Sequence, residues 1–270
     1  MYLSVIIPAY NEEKRLPQTL SKVRDYLDRQ SYDWEVLVVN DGSKDRTAEV
    51  VSESIKGWND ALGTSRSLSA THSNPVSNFV RDAGTSLGDI PSGSFRLIDN
   101  KVNKGKGGVV KQGMLQAKGE WRLFMDADNS TNLEEIEKLW SFKENFGIII
   151  GSRYLNKDSI KVKQPLIRRI VSRFGNFLIR ILLGINMADT QCGFKLFSAK
   201  AAEEIFPLQT IMRWGFDMEI LAIARKKGYK IKEVAVDWYD AEGSTVKKSA
   251  ALKILKELFT IKWNLIKGEY

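Results

Sequence analysis

The chain has 270 residues, an apolar fraction of 43% and a net charge of +8, enough for one large domain with a buried core. Its single cysteine, Cys192, excludes an internal disulfide, and no uncharged apolar run reaches the roughly 18 to 20 residues of a membrane-spanning helix. The opening residues lack the basic and apolar regions of a signal peptide. We therefore expect a globular cytoplasmic protein.

Strand-like and helix-like segments alternate over the first 130 residues. Four apolar runs predict strands: LSVIIPAY, WEVLVVND, FRLIDN and WRLFMDAD. Apolar residues at helical spacing follow the first three runs, and Ser43 or Asp45 can cap the second helix. This order predicts an α/β fold with an open, mostly parallel sheet, whose ligands bind beyond the carboxyl ends of the strands.

Residues 57–95 interrupt the alternation. They are rich in Ser, Gly, Thr and Asn and show no periodicity, which predicts a mobile surface insertion. A functional lid is the alternative. The segment contains the only histidine, His72, so a histidine-based metal or acid–base site is not expected.

The second half of the chain predicts two further strand–helix units and a terminal helix. FGIIIGSRY reads as a strand, DTQCGFKLFSAKAAEEIF as a strand leading into a helix, and RWGFDMEILAIARKKGYK as a helix closed by Gly228. IKEVAVDWYDAEGS predicts the last strand, and a helix follows it to the end of the chain.

Two basic, apolar segments hold the excess positive charge. Residues 161–188 carry six Lys or Arg and no acid, and residues 247–267 carry six Lys against one Glu, while the remainder is net negative. This distribution indicates an anionic partner surface. Nucleic acid is disfavoured because the segments are very apolar and match no binding motif. Helix faces that are merely solvated and basic are the alternative.

The first basic segment has an arginine stripe. On a helix from Leu166 to Ile185, four polar side chains fall within about 60° and the remaining surface is largely apolar: Arg169, Arg173, Asn176 and Arg180. Such a helix suits a bilayer interface, as does the amphipathic terminal helix. Gly175 and Gly184 also permit a broken helix pair. Packing on the sheet or in a dimer interface is the alternative for both segments.

Asp126 and Asp128 follow the fourth predicted strand. Side chains two apart on an extended strand point the same way, so both carboxylates can face one ligand. Oxygen donors without histidine or thiol favour Mg²⁺ or Mn²⁺, completed by a diphosphate. Asp-x-Asp alone is equally typical of a turn or helix cap. Asp41 and Lys106 are predicted at the same sheet edge. The glycine-rich segment NKGKGG there either binds phosphate through its backbone amides or is a plain loop.

Six blocks in order carry a family resemblance: VIIPAYNEE, VNDGSKDRT, NKGKGG, DADNST, GSR and DTQCGFKLF. Together they resemble the family 2 glycosyltransferases, which have the A-type nucleotide-sugar fold. DTQCGFKLF, RWGFDMEIL and EVAVDWYDAEGS are similar to the dolichyl-phosphate β-glucosyltransferases, relatives of the polyprenyl-phosphate mannosyltransferases. The resemblance implies inverting transfer of glucose from UDP-glucose to a polyprenyl or dolichyl phosphate at the cytoplasmic face of a membrane.

The resemblance also implies an organisation and a set of site residues. Residues 1–160 would form the nucleotide-sugar half, 161–246 the acceptor half and 247–270 a basic amphipathic helix, within one catalytic domain. Donor-binding residues would be Pro8, Tyr10, Glu12, Asp41, Lys106, Asp126 and Gln191. Asp126 and Asp128 would hold the metal, Arg153 would line the sugar and phosphate site, and Asp217 would lie near the acceptor. A structural acid packed on a helix end is the alternative for Asp217.

The acceptor decides the mechanism. A lipid monophosphate is already an anion at neutral pH and needs cations more than a general base. Arg169, Arg173 and Arg180 are the expected acceptor-binding residues. Three alternatives remain: a hydroxyl acceptor with Asp217 as base, GDP-mannose as donor, or a non-catalytic nucleotide-sugar module. A homo-oligomer is possible, and we expect peripheral membrane attachment.

Overall fold

A computed structural model describes residues 1–69, 93–155, 178–239 and 250–270. Arg169 and Arg173 lie outside these ranges. The strands are β1 (Leu3–Ala9), β2 (Trp34–Asp41), β3 (Gly93–Asn100), β4 (Trp121–Met125), β5 (Ile148–Ser152), β6 (Phe194–Ser198) and β7 (Ile231–Ala235). The helices are α1 (Leu16–Leu27), α2 (Thr47–Ser69), α3 (Lys106–Gln116), α4 (Ile136–Trp140), α5 (described part 178–183), α6 (Ala199–Ile205), α7 (Phe216–Lys226) and α8 (Ala250–Lys267).

All seven strands form one sheet in the order β3-β2-β1-β4-β6-β5-β7. β6 runs antiparallel to both of its neighbours, and the remaining pairs are parallel. The predicted α/β class with a mostly parallel sheet is confirmed. Because β1 lies between β2 and β4, with Ala9 opposite Asn40 and Ile6 opposite Phe124, the carboxyl ends of these three strands meet at one edge.

The strands form because their apolar runs are buried on both faces. Ile6, Phe124 and Phe197 pack with α3, α6 and α7 on one face of the sheet, whereas Val5 and Leu196 pack with α1 on the other. α1 buries Leu16, Leu20, Val23 and Leu27, at the predicted helical spacing, and carries a proline in its first turn, where a missing N–H costs nothing.

The predicted insertion at 57–95 was too long at both ends. α2 continues to Ser69 and β3 already begins at Gly93, while residues 70–92 lie outside the described part. Tertiary packing supports the helix at Trp58, inside the predicted insertion. The Trp58 ring lies 4.2 Å from the Phe95 ring, and the Arg24 guanidinium lies 5.4 Å from the centre of the Trp58 ring. Such contacts override the weak local preference of a Gly- and Ser-rich sequence.

The glycine-rich segment was also misplaced. α3 begins at Lys106, so Gly107 and Gly108 form its first turn and do not belong to a loop. Gly105 precedes it with φ +85°, and a side chain there would overlap the Met212 carbonyl oxygen. Glycine is therefore required for the chain to turn into α3 this close to the segment before α7.

Two predictions for the second half can be compared with the structure. α7 ends where expected, with Gly228 at φ +82° just beyond it. The helix predicted up to Ile185 ends earlier, because residues 178–183 are helical and Gly184 turns with φ +65°. Among the described helices, none combines the length and apolar character needed to span a membrane.

Candidate active site

The acidic pair lies in a turn that begins where β4 ends. Asn129 N–H donates to the Asp126 carbonyl at 3.4 Å, and Asn129 itself has φ +53°. Ser130 N–H donates to Asp128 Oδ1 at 3.0 Å. The prediction of an extended Asp126–Asp128 segment was therefore wrong, because Asp and Asn side chains bond to nearby backbone and favour turns. Thr19 Oγ1 on α1 anchors the turn by donating to the Ala127 carbonyl at 2.7 Å.

Lys106 meets this turn from the first turn of α3. Its Nζ lies 2.6 Å from Asp126 Oδ1, and the two side chains are 21% and 34% exposed. Burial would lower the pKa of the Lys106 ammonium, but attraction to Asp126 and Asp217 outweighs it and raises that pKa. The site thus holds a cation and a carboxylate in contact at a partly open edge.

Asp41 ends β2 and fixes the loop that leads into α3. Its Oδ1 accepts from Lys104 N–H at 2.6 Å and its Oδ2 from Gly105 N–H at 3.0 Å. Burial raises the pKa of this carboxyl, against the lowering effect of the two amide hydrogen bonds. Asp41 therefore positions Lys106 through the backbone of the preceding loop.

The segment after β1 brings another carboxylate to the acidic turn. Glu12 forms a two-pronged ion pair with Arg15, with both distances 2.7 Å. Burial raises the pKa of Glu12, and repulsion from Asp128 and Asp126 adds to this. Pro8 pairs with Val39 inside the sheet, whereas Tyr10 lies just beyond β1 with its side chain 43% exposed.

Asp217 begins α7 and is buried. Its Oδ1 lies 2.5 Å from Lys195 Nζ, and the two side chains are 6% and 0% exposed. Lys195 also donates to the Cys192 carbonyl at 2.6 Å. Burial raises the pKa of the Asp217 carboxyl, while Lys195 and Lys106 oppose the rise. Asp217 is thus held in a buried ion pair with Lys195.

Arg153 follows β5 and is held by Asp189, the first residue of the DTQCGFKLF block, which was not expected to be a site residue. Its Nε and Nη2 donate to the two carboxylate oxygens of Asp189 at 2.7 and 2.9 Å. The pKa of Asp189 is lowered because attraction to Arg153 outweighs the effect of burial. The guanidinium also lies 5.6 Å from the centre of the Trp238 ring. Arg153 is thereby fixed in one orientation.

Gly193 was not expected to be a site residue, and the structure shows its importance. Its carbonyl accepts from Asp126 N–H at 3.1 Å, and a methyl group at Gly193 would overlap the Asp126 carboxylate. No local sequence signal reveals such a contact across the fold. Gln191 lies two residues earlier, and its N–H donates to Asp189 Oδ1 at 3.2 Å.

Arg180 is the one arginine of the predicted stripe that lies in the described part of the chain. It is exposed on α5, and its Nε donates to the Met187 carbonyl at 3.0 Å. Arg169 and Arg173 belong to the segment outside the described part of the chain. The structure therefore leaves the proposed stripe untested.

The acidic turn fits a divalent metal ion that takes part of its coordination from a ligand. In the part of the chain that is described, no three His, Cys, Asp or Glu side chains converge as a closed metal site. Asp126 and Asp128 nevertheless supply hard oxygen donors at the partly open edge, and Mg²⁺ commonly uses one or two carboxylates with phosphate and water completing its shell. Their chemistry thus suits Mg²⁺ or Mn²⁺ bound together with a diphosphate.

Comparison with known proteins assigns the family. The model of glycosyl transferase family 2 matches residues 4–62 and 87–206. Proteins named dolichyl-phosphate beta-glucosyltransferase are 36% identical in Trichomonas vaginalis, covering 97% of this chain and 73% of the relative, and 32% identical in Homo sapiens, covering 99% and 77%. The chain belongs to glycosyl transferase family 2 and is a glycosyltransferase.

Solved structures support the same fold. Glucosyl-3-phosphoglycerate synthase from Mycobacterium tuberculosis in complex with UDP superposes with a TM-score of 0.62 at 14% identity, covering 97% of this chain and 80% of that one. A complex of that enzyme with Mn²⁺, UDP and glucosyl-3-phosphoglycerate gives 0.62 at 15% identity, covering 96% and 79%. The predicted A-type nucleotide-sugar glycosyltransferase fold is confirmed.

Proposed function

We propose that this glycosyltransferase moves glucose from UDP-glucose to dolichyl phosphate or a related polyprenyl phosphate, with inversion at the anomeric carbon. The observation that carries the proposal is the similarity over 97–99% of the chain to proteins named dolichyl-phosphate beta-glucosyltransferase. This similarity covers both the part of the chain that holds the acidic turn and the part from β5 to α8. The UDP complexes of the structurally similar synthase are consistent with a UDP-linked donor.

The arrangement of carboxylates favours an acceptor that is already an anion. Among the described residues, Glu12 and Asp217 interact electrostatically with Asp126, and each is held by a cation: Glu12 by Arg15 and Asp217 by Lys195. A hydroxyl acceptor needs a general base that can take its proton. A phosphate acceptor needs only positioning and cations, so the site suits it better.

On this proposal the sheet edge handles the donor. Asp126 and Asp128 would hold Mg²⁺ or Mn²⁺ together with the diphosphate, while Asp41 holds the loop from which Lys106 extends. A bound divalent ion would offset the charge that develops on the departing UDP. Lys106 supplies a cation beside Asp126, and Pro8, Tyr10, Glu12 and Gln191 complete the donor site.

The acceptor half positions the lipid phosphate. Arg153, held by Asp189, presents its guanidinium beside the donor site, and Arg169, Arg173 and Arg180 bind the acceptor phosphate. We place Asp217 among the positioning residues, since it interacts with both Lys106 and Lys195. The two basic segments attach the protein peripherally to the cytoplasmic face of a membrane.

Transfer to lipid tests this function directly. The purified protein is given labelled UDP-glucose or GDP-mannose with a polyprenyl phosphate, with and without chelator, and Asp128→Asn serves as the matched control. We expect label in the lipid extract from UDP-glucose, abolished by chelator and restored by Mg²⁺ or Mn²⁺. Labelled lipid from no donor would refute the proposal. Transfer to unphosphorylated polyprenol at an equal rate would favour the hydroxyl-acceptor alternative.

A second test concerns the arginine stripe. Replacing Arg169 and Arg173 together by Ala should raise the KM for polyprenyl phosphate while the Kd for UDP stays unchanged. Lys118→Ala with Lys138→Ala, at two exposed residues, is the control for the loss of two positive charges. Equal losses in acceptor use and UDP binding would contradict the assignment.

A further inference from the structure

One side of α8 exposes large apolar residues to solvent. The helix buries Leu258 and Ile261 against the core. Four other apolar side chains are 36–66% exposed: Leu255, Phe259, Trp263 and Ile266. At about 100° per residue these four lie within an arc of about 80°, separate from the buried face. An apolar stripe of this kind on a surface helix indicates an interaction site.

The apolar surface continues from α8 onto α5. A groove of about 560 Å³ separates the two helices, and Ile266 and Leu265 line it on one side with Ile181 and Leu182 on the other. Ile181 is 62% exposed. The stripe and the exposed end of α5 therefore form one continuous apolar face, which we call the α8 face.

Cations flank the apolar arc of α8 on both sides. Lys262 lies about 20° before the arc, where it lines the groove, and Lys256 and Lys267 lie about 20° to 40° beyond the arc. Lys267 Nζ sits 5.3 Å from the centre of the Trp263 ring. At the groove, α7 adds Arg225 and Lys226. This pattern of an apolar centre with a basic border is charge-complementary to anionic lipid headgroups.

We propose that the α8 face docks in the plane of a membrane that carries anionic lipids. The apolar arc enters the boundary between headgroups and acyl chains, and the bordering lysines meet the lipid phosphates. This inference rests on the peripheral membrane attachment proposed above. It adds that the α8 face makes the attachment and that the attachment requires anionic lipid. A second copy of the chain fits less well, because two α8 faces in contact would bring lysine borders together.

Vesicle co-sedimentation tests the inference with the intact chain. Vesicles of phosphatidylcholine alone are compared with vesicles that also contain phosphatidylserine. We expect stronger binding to the anionic vesicles, weakened by high salt. Replacing Phe259 and Trp263 together by Ser should weaken binding at least about tenfold, because two apolar side chains no longer enter the bilayer. Lys256→Glu with Lys262→Glu should remove the preference for anionic vesicles.

Two controls separate membrane docking from misfolding. Leu115→Ser changes an apolar residue of similar exposure on α3 and should leave vesicle binding unchanged. The Kd for UDP and the Tm should be the same in the wild type and in the Phe259 and Trp263 variant, since both residues are exposed and distant in sequence from the acidic turn.

The outcomes distinguish the inference from the proposal beneath it. A wild-type protein that binds neither kind of vesicle would refute peripheral attachment itself. Wild-type binding that the Phe259 and Trp263 substitutions leave intact would refute the α8 face. If those substitutions instead convert a dimer into a monomer in sedimentation while vesicle binding persists, the face joins two copies of the chain and the inference is wrong.

Discussion

Two lysine–aspartate pairs lie close together, and their surroundings differ. Lys106 and Asp126 meet at the open sheet edge, 2.6 Å apart and partly exposed, whereas Lys195 and Asp217 meet between β6 and α7, 2.5 Å apart and buried. Asp217 interacts electrostatically with Lys106 and Asp126 as well. The same two residue types thus form an accessible pair and an enclosed one within a single charge network.

Exposure determines what each pair can do. An ion pair in contact with water contributes little to stability and can exchange partners, so Asp126 is available to a metal ion and Lys106 to a phosphate. An enclosed pair is kept by the penalty of leaving one charge alone in the interior. The open pair is therefore suited to chemistry, and the enclosed pair to holding the site together.

The largest expected effect comes from breaking the enclosed pair. Asp217→Asn removes the carboxylate in contact with the buried Lys195 ammonium and should lower the free energy of unfolding by about 3–5 kcal/mol. Asp126→Asn, in the open pair, should lower it by no more than about 1 kcal/mol. Urea unfolding of both variants measures the difference. Similar values would show that the two pairs are not distinct.

The next effect concerns activity rather than stability. Asp128→Asn removes a proposed metal ligand and should reduce kcat by about 10²-fold or more, because metal stabilisation of the departing diphosphate is worth several kcal/mol. Its Tm should stay close to that of the wild type. Transfer rates at saturating Mn²⁺, measured with a thermal melt, test both expectations, and a large loss of Tm with unaltered kcat would favour a purely structural turn.

Gly193 contacts Asp126 of the open pair and lies two residues before Lys195 of the enclosed pair. Gly193→Ala places a methyl group against the Asp126 carboxylate and should displace it from Lys106, reducing kcat by about 10- to 10²-fold, since small misplacements in an active site have effects of this size. Gly57→Ala, at a glycine with no atom within 4 Å of an added methyl group, is the matched control. An unchanged kcat in Gly193→Ala would show that the carboxylate position is not critical.

The open edge was largely predictable from sequence and the enclosed pair was not. Asp41 ends one recognisable apolar strand and Asp126 and Asp128 follow another, and the alternation of strands and helices places these strand ends at one edge. The turn geometry was missed although Asn129, a residue that tolerates positive φ, followed the pair.

The buried ion pairs join residues that are distant in sequence. Lys195 is the one charged residue in the apolar strand sequence GFKLF, and this pattern indicates that a buried acidic partner is needed without identifying that partner. Asp189 lies 36 residues from Arg153. Only the assembled sheet and α7 bring such residues together, so the sequence could not specify which residues form the ion pairs.

The smallest expected effect is a difference in how the two regions respond to acid. Burial raises the pKa of Asp41 above 3.8, so as the pH falls this carboxyl takes up a proton earlier than an ordinary aspartate and its two amide hydrogen bonds weaken. UDP affinity should then fall severalfold.

The ion pair between Arg153 and Asp189 should survive to lower pH than the contacts of Asp41. Because the folded-state pKa of Asp189 is lowered, its stabilising contribution is fully present above its unfolded pKa and is lost only as the pH falls through the folded value. For Asp41 the sign is opposite, since the folded chain binds the proton before the unfolded chain does. UDP titrations and urea unfolding between pH 7 and about pH 3 should therefore show donor binding failing while the protein is still folded, and Asp41→Asn should abolish that acid-dependent step. Simultaneous loss of UDP binding and of folded structure would mean that Asp41 and the Arg153–Asp189 pair titrate as one unit.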